Sequence, residues 1–208
     1  MSDKIIKELQ QFREFKKAFK FCQLPLEEVD GTLCCDGLPL YDNEGKLIGE
    51  SEKWINVGFM IKSPLSRILS NLFPYEFEFR GCKLQSLEGF FQGIKFKNPS
   101  IQKYVFAYNG LNAYSLKAAS DYHWQDEGNL YFQGTLLKRD SAEYEAIVDE
   151  LYISAAQNPL YRQALKNADR MLIHSIGKTD KNETVLTRLE YETVINTLSA
   201  FLKNADRS

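Results

Sequence analysis

The sequence predicts an α+β fold: a predominantly helical single domain with a small antiparallel sheet. Three observations carry that expectation. Seven segments show apolar residues at helical spacing. Residues 24–59 instead break into short apolar pieces punctuated by Gly and Pro, a texture that fits strands. No repeat, low-complexity tract or long linker interrupts the 208 residues, a length that one domain can accommodate.

Residues 3–20 open the chain as an amphipathic helix, with Ile5, Leu9, Phe12 and Phe19 recurring between lysines and glutamates. Ser2 or Asp3 is its candidate cap. Pro25, Gly31, Gly37, Pro39, Gly45 and Gly49 then separate small strands, and Asp42-Asn43-Glu44-Gly45 reads as a hairpin turn. A strand pair follows at 76–80 and 83–85. There Phe77 and Phe79 alternate with Glu76, Glu78 and Arg80, and Gly81 turns the chain. Helices are expected at 86–97, 99–108, 112–120, 141–155, 159–167 and 187–203. Asp140 or Ser141 caps the fourth of these, and Asn158-Pro159 separates it from the next, since proline is tolerated only in a first turn. Thr187 with Glu190 three residues on forms a capping box for the last. Gly128–Gly134 sits mid-chain with ordinary helical sequence on both sides and reads as a native part of the chain. The chain divides into an N-terminal helix and short-strand extension, residues 1–54, packed on a main body of 55–208.

Composition excludes several classes. Hydrophobic residues make up 44% with 14 Phe and 11 Tyr, enough to close a core, so disorder is not expected. Lys and Arg number 26 against 28 Asp and Glu, which argues against a generic binder of phosphate backbones but leaves a local phosphate pocket open. No run approaches the roughly 18 apolar residues of a membrane span, and the charged N-terminus lacks a signal-peptide core. Cys22, Cys34, Cys35 and Cys82 have no C-x-x-C spacing, and only His123 and His174 could add imidazole, so no metal site is expected. Reduced thiols place the chain in the cytoplasm.

Chemistry concentrates in Ser86–Phe96. At about 100° per residue, Glu88, Gln92 and Lys95 fall on one line of a helix, and Leu87, Phe91 and Ile94 form an apolar line beside it. An acid, an amide and an amine next to an apolar edge describe a helix half in the core and half lining a pocket. The alternative is an ion pair on a solvated face. Gly89 and Gly93 each cost about 1 kcal/mol inside a helix, so another backbone or a ligand should come close to them.

Several motifs follow in order. They are Leu69-Ser-Asn-Leu-Phe-Pro74, the Ser86–Phe96 segment, Leu137–Tyr144 with its Arg139-Asp140 pair, Gln157-Asn-Pro159, His174-Ser-Ile-Gly-Lys178 and Thr184–Thr187 followed by Glu190. This series resembles the NADAR family, also called YbiA-like or DUF1768, over roughly residues 55–203. Gly89 stands where many members carry His, and His174–Asp180 replaces their Asp-x-Trp-Gly-x-Gly segment.

The resemblance implies a YbiA-like fold, a catalytic main body and an N-glycosidase that breaks the C1–N bond of ribose-phosphate compounds. Its expected substrate is ADP-ribose on a nucleobase, guanine in particular, with nucleic acid carrying that group as one form. The alternatives are a ribosylamino-pyrimidine phosphate of riboflavin biosynthesis or a non-catalytic ADP-ribose or NAD reader. No cofactor is implied. Lys95 is the expected nucleophile, forming an imine with the opened ribose, and Glu88 the proton shuttle. In a rival mechanism Glu88 activates water and Lys95 binds phosphate or ribose. Asn71 and Gln92 are expected hydrogen-bond partners of ribose or base. Phe73 and Trp124 are candidate stacking rings, weighed against core packing, and Tyr131 shares the aromatic stretch around Tyr122-His-Trp-Gln. Arg139, Asp140, Lys178 and Glu190 complete the expected substrate-binding set, with helix capping the alternative role for Asp140 and Glu190.

Overall fold

The computed structural model describes residues 2–116 and 123–205, with His123 described by its backbone alone. Helix α1 (Asp3–Ala18) is capped by Ser2, whose hydroxyl accepts from the Ile5 N–H. Strands β1 (Leu26–Val29), β2 (Thr32–Cys35) and β3 (Leu38–Pro39) form an antiparallel meander. β4 (Trp54–Asn56) leads to α2 (Pro64–Leu69), a short helix that the sequence reading did not anticipate. β5 (Phe77–Phe79) and β6 (Cys82–Leu84) make the expected hairpin, and α3 (Leu87–Gly93), α4 (Pro99–Phe106) and α5 (Gly110–Ser115) follow. After α6 (His123–Glu127) come a second hairpin, β7 (Asn129–Phe132) and β8 (Thr135–Lys138), and the long helix α7 (Ala142–Ala155). The chain closes with α8 (Pro159–Asn167), β9 (Met171–Ile173) and α9 (Arg188–Ala205).

The mixed helix-and-sheet class holds, but the single small antiparallel sheet needs correction. Among the described residues the strands form four separate small sheets, and β4 pairs with β9 in parallel. That pair joins residues 117 positions apart, Asn56 with Ile173, so no local pattern announces it. Gly128–Gly134 has helix α6 before it but strand β8 after it, and carries β7 and the turn of the β7–β8 hairpin at Gln133-Gly134 with φ of 51° and 82°. Asp30-Gly31, Asp36-Gly37 and Arg80-Gly81 turn their hairpins with the same pair of positive φ values, the geometry whose twist matches paired strands. The expected helix 112–120 begins earlier, at Gly110, and its residues 117–120 lie outside the described residues, as does Tyr122.

α7 lies at the centre of the main core, burying ten of its residues from Tyr144 to Ala155. α1 packs on it and on α9. Phe12 is fully buried and meets Phe201 edge-on at 5.6 Å, and Lys16 pairs with Asp149 at 2.6 Å. Glu8 reaches Arg162 of α8 at 2.8 Å. The β1–β3 meander covers a second, smaller core of Cys35, Leu40, Trp54 and Ile173, and the Trp54 indole donates to the Cys35 carbonyl at 3.1 Å. The N-terminal segment is therefore part of the packed body, and the division at residue 54 falls inside β4. Among the described residues no helix is long and apolar enough to cross a membrane.

Phe12→Ala should cost about 3–5 kcal/mol, the range for emptying a buried phenylalanine site. Urea unfolding should show this as a single shifted transition, because α1 shares one core with α7 and α9; a separate early transition would show α1 melting alone.

Candidate functional site

Helix α3 is placed by contacts at both ends. Ser86 caps it, its hydroxyl accepting from the Gly89 N–H at 3.0 Å, and the Glu88 N–H donates to the Asn71 carbonyl at 2.8 Å. The helix ends at Gly93 rather than 97. The Ile94 carbonyl is taken by the Tyr131 N–H of β7 at 2.8 Å, and Lys95 and Phe96 continue in a tighter turn. The expected approach of another backbone is present at Gly89, whereas at Gly93 a side chain comes close instead. A Cβ at Gly93 would lie 2.3 Å from the Phe106 ring, and one at Gly89 would press on the carbonyls of Tyr108 and Val105.

The tightened turn still brings the three polar groups into one chain. Gln92 Nε2 donates to Glu88 Oε1 at 2.6 Å, and Lys95 Nζ donates to Gln92 Oε1 at 2.9 Å. Lys95 is only 8% exposed, and its nitrogen lies 5.2 Å from the centre of the Trp124 ring. These residues line a cavity of about 530 Å³, a size that suits a small ligand. Asn71 and Lys178 also line it. Asn71 Oδ1 accepts from the Tyr152 hydroxyl at 2.8 Å, and Lys178 pairs with Glu183 at 3.2 Å. Tyr114, His174 and Tyr191 line the same cavity, although the sequence assigned none of them a role.

The remaining candidates lie elsewhere. Phe73 is outside the cavity lining, packed against Phe59 and Tyr75 at ring separations of 6.4 and 6.2 Å. Tyr131, in β7, has Lys97 over its ring at 5.8 Å. Arg139 is buried against the Tyr144 ring and clamps Glu190 through two hydrogen bonds of 2.9 and 2.5 Å. Glu190 also closes the capping box, accepting from the Thr187 N–H at 2.7 Å. Asp140 is exposed and pairs with Lys181 at 2.8 Å. Of these four residues, Phe73, Arg139, Asp140 and Glu190, none is in the cavity lining.

Several motif positions thus have local structural tasks. Ser86 and the Thr187–Glu190 pair cap helices, Gly93 admits a ring, and Asn158 caps α8 by accepting from the Leu160 and Tyr161 N–H groups. Such residues recur in many helical domains without shared chemistry.

Comparison with known proteins gives the family. The model described as bacteriophage protein GP30.3 matches residues 64–200, so the chain belongs to that family. A relative in Enterobacteria phage T4, named as an uncharacterized 17.1 kDa protein in the Gp30–rIII intergenic region, is 36% identical over 134 residues. The alignment spans 62% of this chain and 87% of the relative. No solved structure matches. The NADAR resemblance is therefore overturned, and the hydrolase and ADP-ribose expectations no longer stand on it.

The Arg139–Glu190 clamp makes a measurable prediction. Burial raises the Glu190 carboxyl, but the Arg139 and Thr187 hydrogen bonds outweigh it and hold the group below the usual glutamate range. Its contribution is present above the unfolded value of about 4.3 and is lost as pH falls through the lower folded value. Glu190→Gln should flatten that acid limb in denaturant titrations. Removing the buried partner's charge match with Glu190→Ala should cost about 3–5 kcal/mol.

Proposed function

We propose that the cavity binds a ribosyl phosphate compound and cleaves its C1–N glycosidic bond. One observation carries this reading: a half-buried carboxylate, Glu88, is joined through Gln92 to the buried Lys95 amine, beside the indole of Trp124. The indole suits a planar base. Lys95 and Lys178 suit phosphate or sugar oxygens. Glu88 suits proton handling at the reacting carbon.

As the C1–N bond breaks, its electron pair leaves with the base nitrogen and positive charge gathers on C1. Water oxygen bonds to C1, and Glu88 takes the water's proton. In this route Lys95 acts as an ammonium, a role supported by its donation to Gln92 Oε1 and its place over the Trp124 ring. A covalent route is favoured by a different observation, the seclusion of Lys95 from solvent. There the neutral amine bonds to C1 as the base departs with the electron pair, the ring C1–O bond then opens as the amine gives up its protons to the base and the ring oxygen, and water resolves the resulting imine.

Mass spectrometry of released base tests the reading. Incubation with purine and pyrimidine nucleoside monophosphates and with ribosylamino-pyrimidine phosphates should release base from at least one class. Glu88→Gln should lower kcat about 100-fold or more with KM nearly unchanged, as expected for a lost proton-transfer group. Borohydride added during turnover should reduce an adduct on Lys95 in the covalent route and leave the lysine unmodified in the water route. Lys95→Ala that still binds nucleotide, with no base released by the parent chain, would reduce the site to a binding module.

A further inference from the structure

His174 lines the cavity, yet the chemistry above does not use it. Two sides of its ring are closed. Nδ1 lies 2.7 Å from the Val57 carbonyl oxygen, which can only accept, so Nδ1 carries the hydrogen and donates. At Cδ2 the loop backbone closes in, since a Cβ on Gly177 would fall 2.7 Å from that carbon. The Tyr191 ring meets the imidazole edge-on at 5.1 Å. The edge bearing Cε1 and Nε2 is left for the cavity, and in this tautomer Nε2 is an acceptor.

The backbone beneath the ring is held as firmly. The His174 N–H donates to Glu192 Oε1 at 2.6 Å, and the same oxygen takes Arg188 Nε at 2.7 Å. Gln23 donates to the other carboxylate oxygen at 2.7 Å, and Arg188 also reaches the Leu24 carbonyl at 3.0 Å. The Ser175 N–H donates to Asn56 Oδ1 at 3.2 Å. Gln23, Leu24, Asn56 and Val57 all precede residue 64, where the family match begins. The N-terminal segment thus orients one wall of the cavity.

Charges around the ring come from three places: Arg188 and Glu192 on α9, Lys178 and Glu183 on the loop that carries His174, and Glu88 and Lys95 at α3. Burial pushes the imidazole below the ordinary value of 6.5, against the Val57 hydrogen bond and Glu192, which raise it, while Arg188 also lowers it. The ring is neutral at pH 7.

We infer that His174 selects a hydroxyl-bearing sugar, its unprotonated Nε2 accepting a hydrogen bond from a ribose hydroxyl of the bound ligand. The assignment rests on the ribosyl phosphate reading of the cavity and deepens it by giving His174 a part in holding the sugar. As ammonium groups Lys95 and Lys178 only donate, so they bind oxygens irrespective of whether those oxygens carry hydrogen. A neutral imidazole acceptor requires a donor, and a deoxygenated sugar has none at that point.

The test uses the full chain labelled with ¹⁵N-histidine, with His123→Asn to leave the His174 signals alone. Long-range ¹⁵N–¹H spectra should show Nδ1 protonated and Nε2 bare at pH 7. Ribose 5-phosphate should shift the Nε2 resonance, and either 2-deoxyribose or 3-deoxyribose 5-phosphate should bind roughly tenfold more weakly, the scale of one hydrogen bond. That preference should vanish in His174→Phe, and in the parent chain as pH falls through the measured His174 pKa. A protonated Nε2, ribose 5-phosphate binding with no shift at His174, equal binding of all three sugars, or no binding overturns the inference. The two proposals fail differently. If only the cleavage reading is wrong, no base is released while the shift and sugar preference persist. If only the His174 role is wrong, bases are released equally from ribosyl and deoxyribosyl substrates.

Discussion

Glu192 has no solvent exposure, and its carboxylate meets Arg188, Gln23 and the backbone N–H of His174 within 2.7 Å. A buried charge of this kind is tolerated only when its lone pairs are satisfied, and breaking such a set costs far more than forming it returns. The consequence is geometric. One side chain on α9 ties the start of the cavity loop after β9 to residues near the start of the chain. Asn196, one turn further along α9, repeats the device by bonding both the N–H and the carbonyl of Leu172. β9 is thereby held between α9 on one side and β4 on the other, and the cavity wall inherits that rigidity.

The part of the lining that α3 supplies is rigid for a different reason. α3 has seven residues, too few to be stable alone. It persists because Phe90, Phe91 and Leu87 are buried and because Gly93 lets the Phe106 ring approach its backbone. Phe79, Phe90, Phe106 and Phe132 close around one another with ring centres 5.2–6.3 Å apart, so the aromatic hairpins brace the helix that carries Glu88 and Gln92. A polar line on a packed helix and a polar loop on a clamped strand line one cavity whose groups are placed in advance of any ligand. Such placement is what a site needs, since sub-ångström disorder in a supporting shell weakens binding and catalysis alike.

The family membership alters the weight of each argument. A resemblance built from capping residues, prolines and glycines describes how a helical domain is assembled. What survives that correction is the geometry of Glu88, Gln92, Lys95 and Trp124 around one cavity, which owes nothing to the resemblance. Phe73, Arg139, Asp140 and Glu190 entered the expected site only through motif position. They stand outside the cavity lining, where they pack, pair and cap.

Much of the local structure was legible because its causes are local. Ser2 and Ser141, each one of two residues read as candidate caps, do cap their helices, and Phe77 and Phe79 alternate into the core as their period requires. The line from Glu88 to Lys95 was likewise readable, since side chains three and four residues apart meet on any helical turn. The β4–β9 pair, the burial of α1 against α7 and α9, and the tautomer of His174 were not. Each depends on atoms brought together from distant parts of the chain: Asn56 with Ile173, Phe12 with Phe201, Val57 with His174. Residue order sets hydrogen-bonding and periodicity over a few positions. Which carbonyl a given imidazole finds is settled only when buried polar groups must all be satisfied together in the closed core.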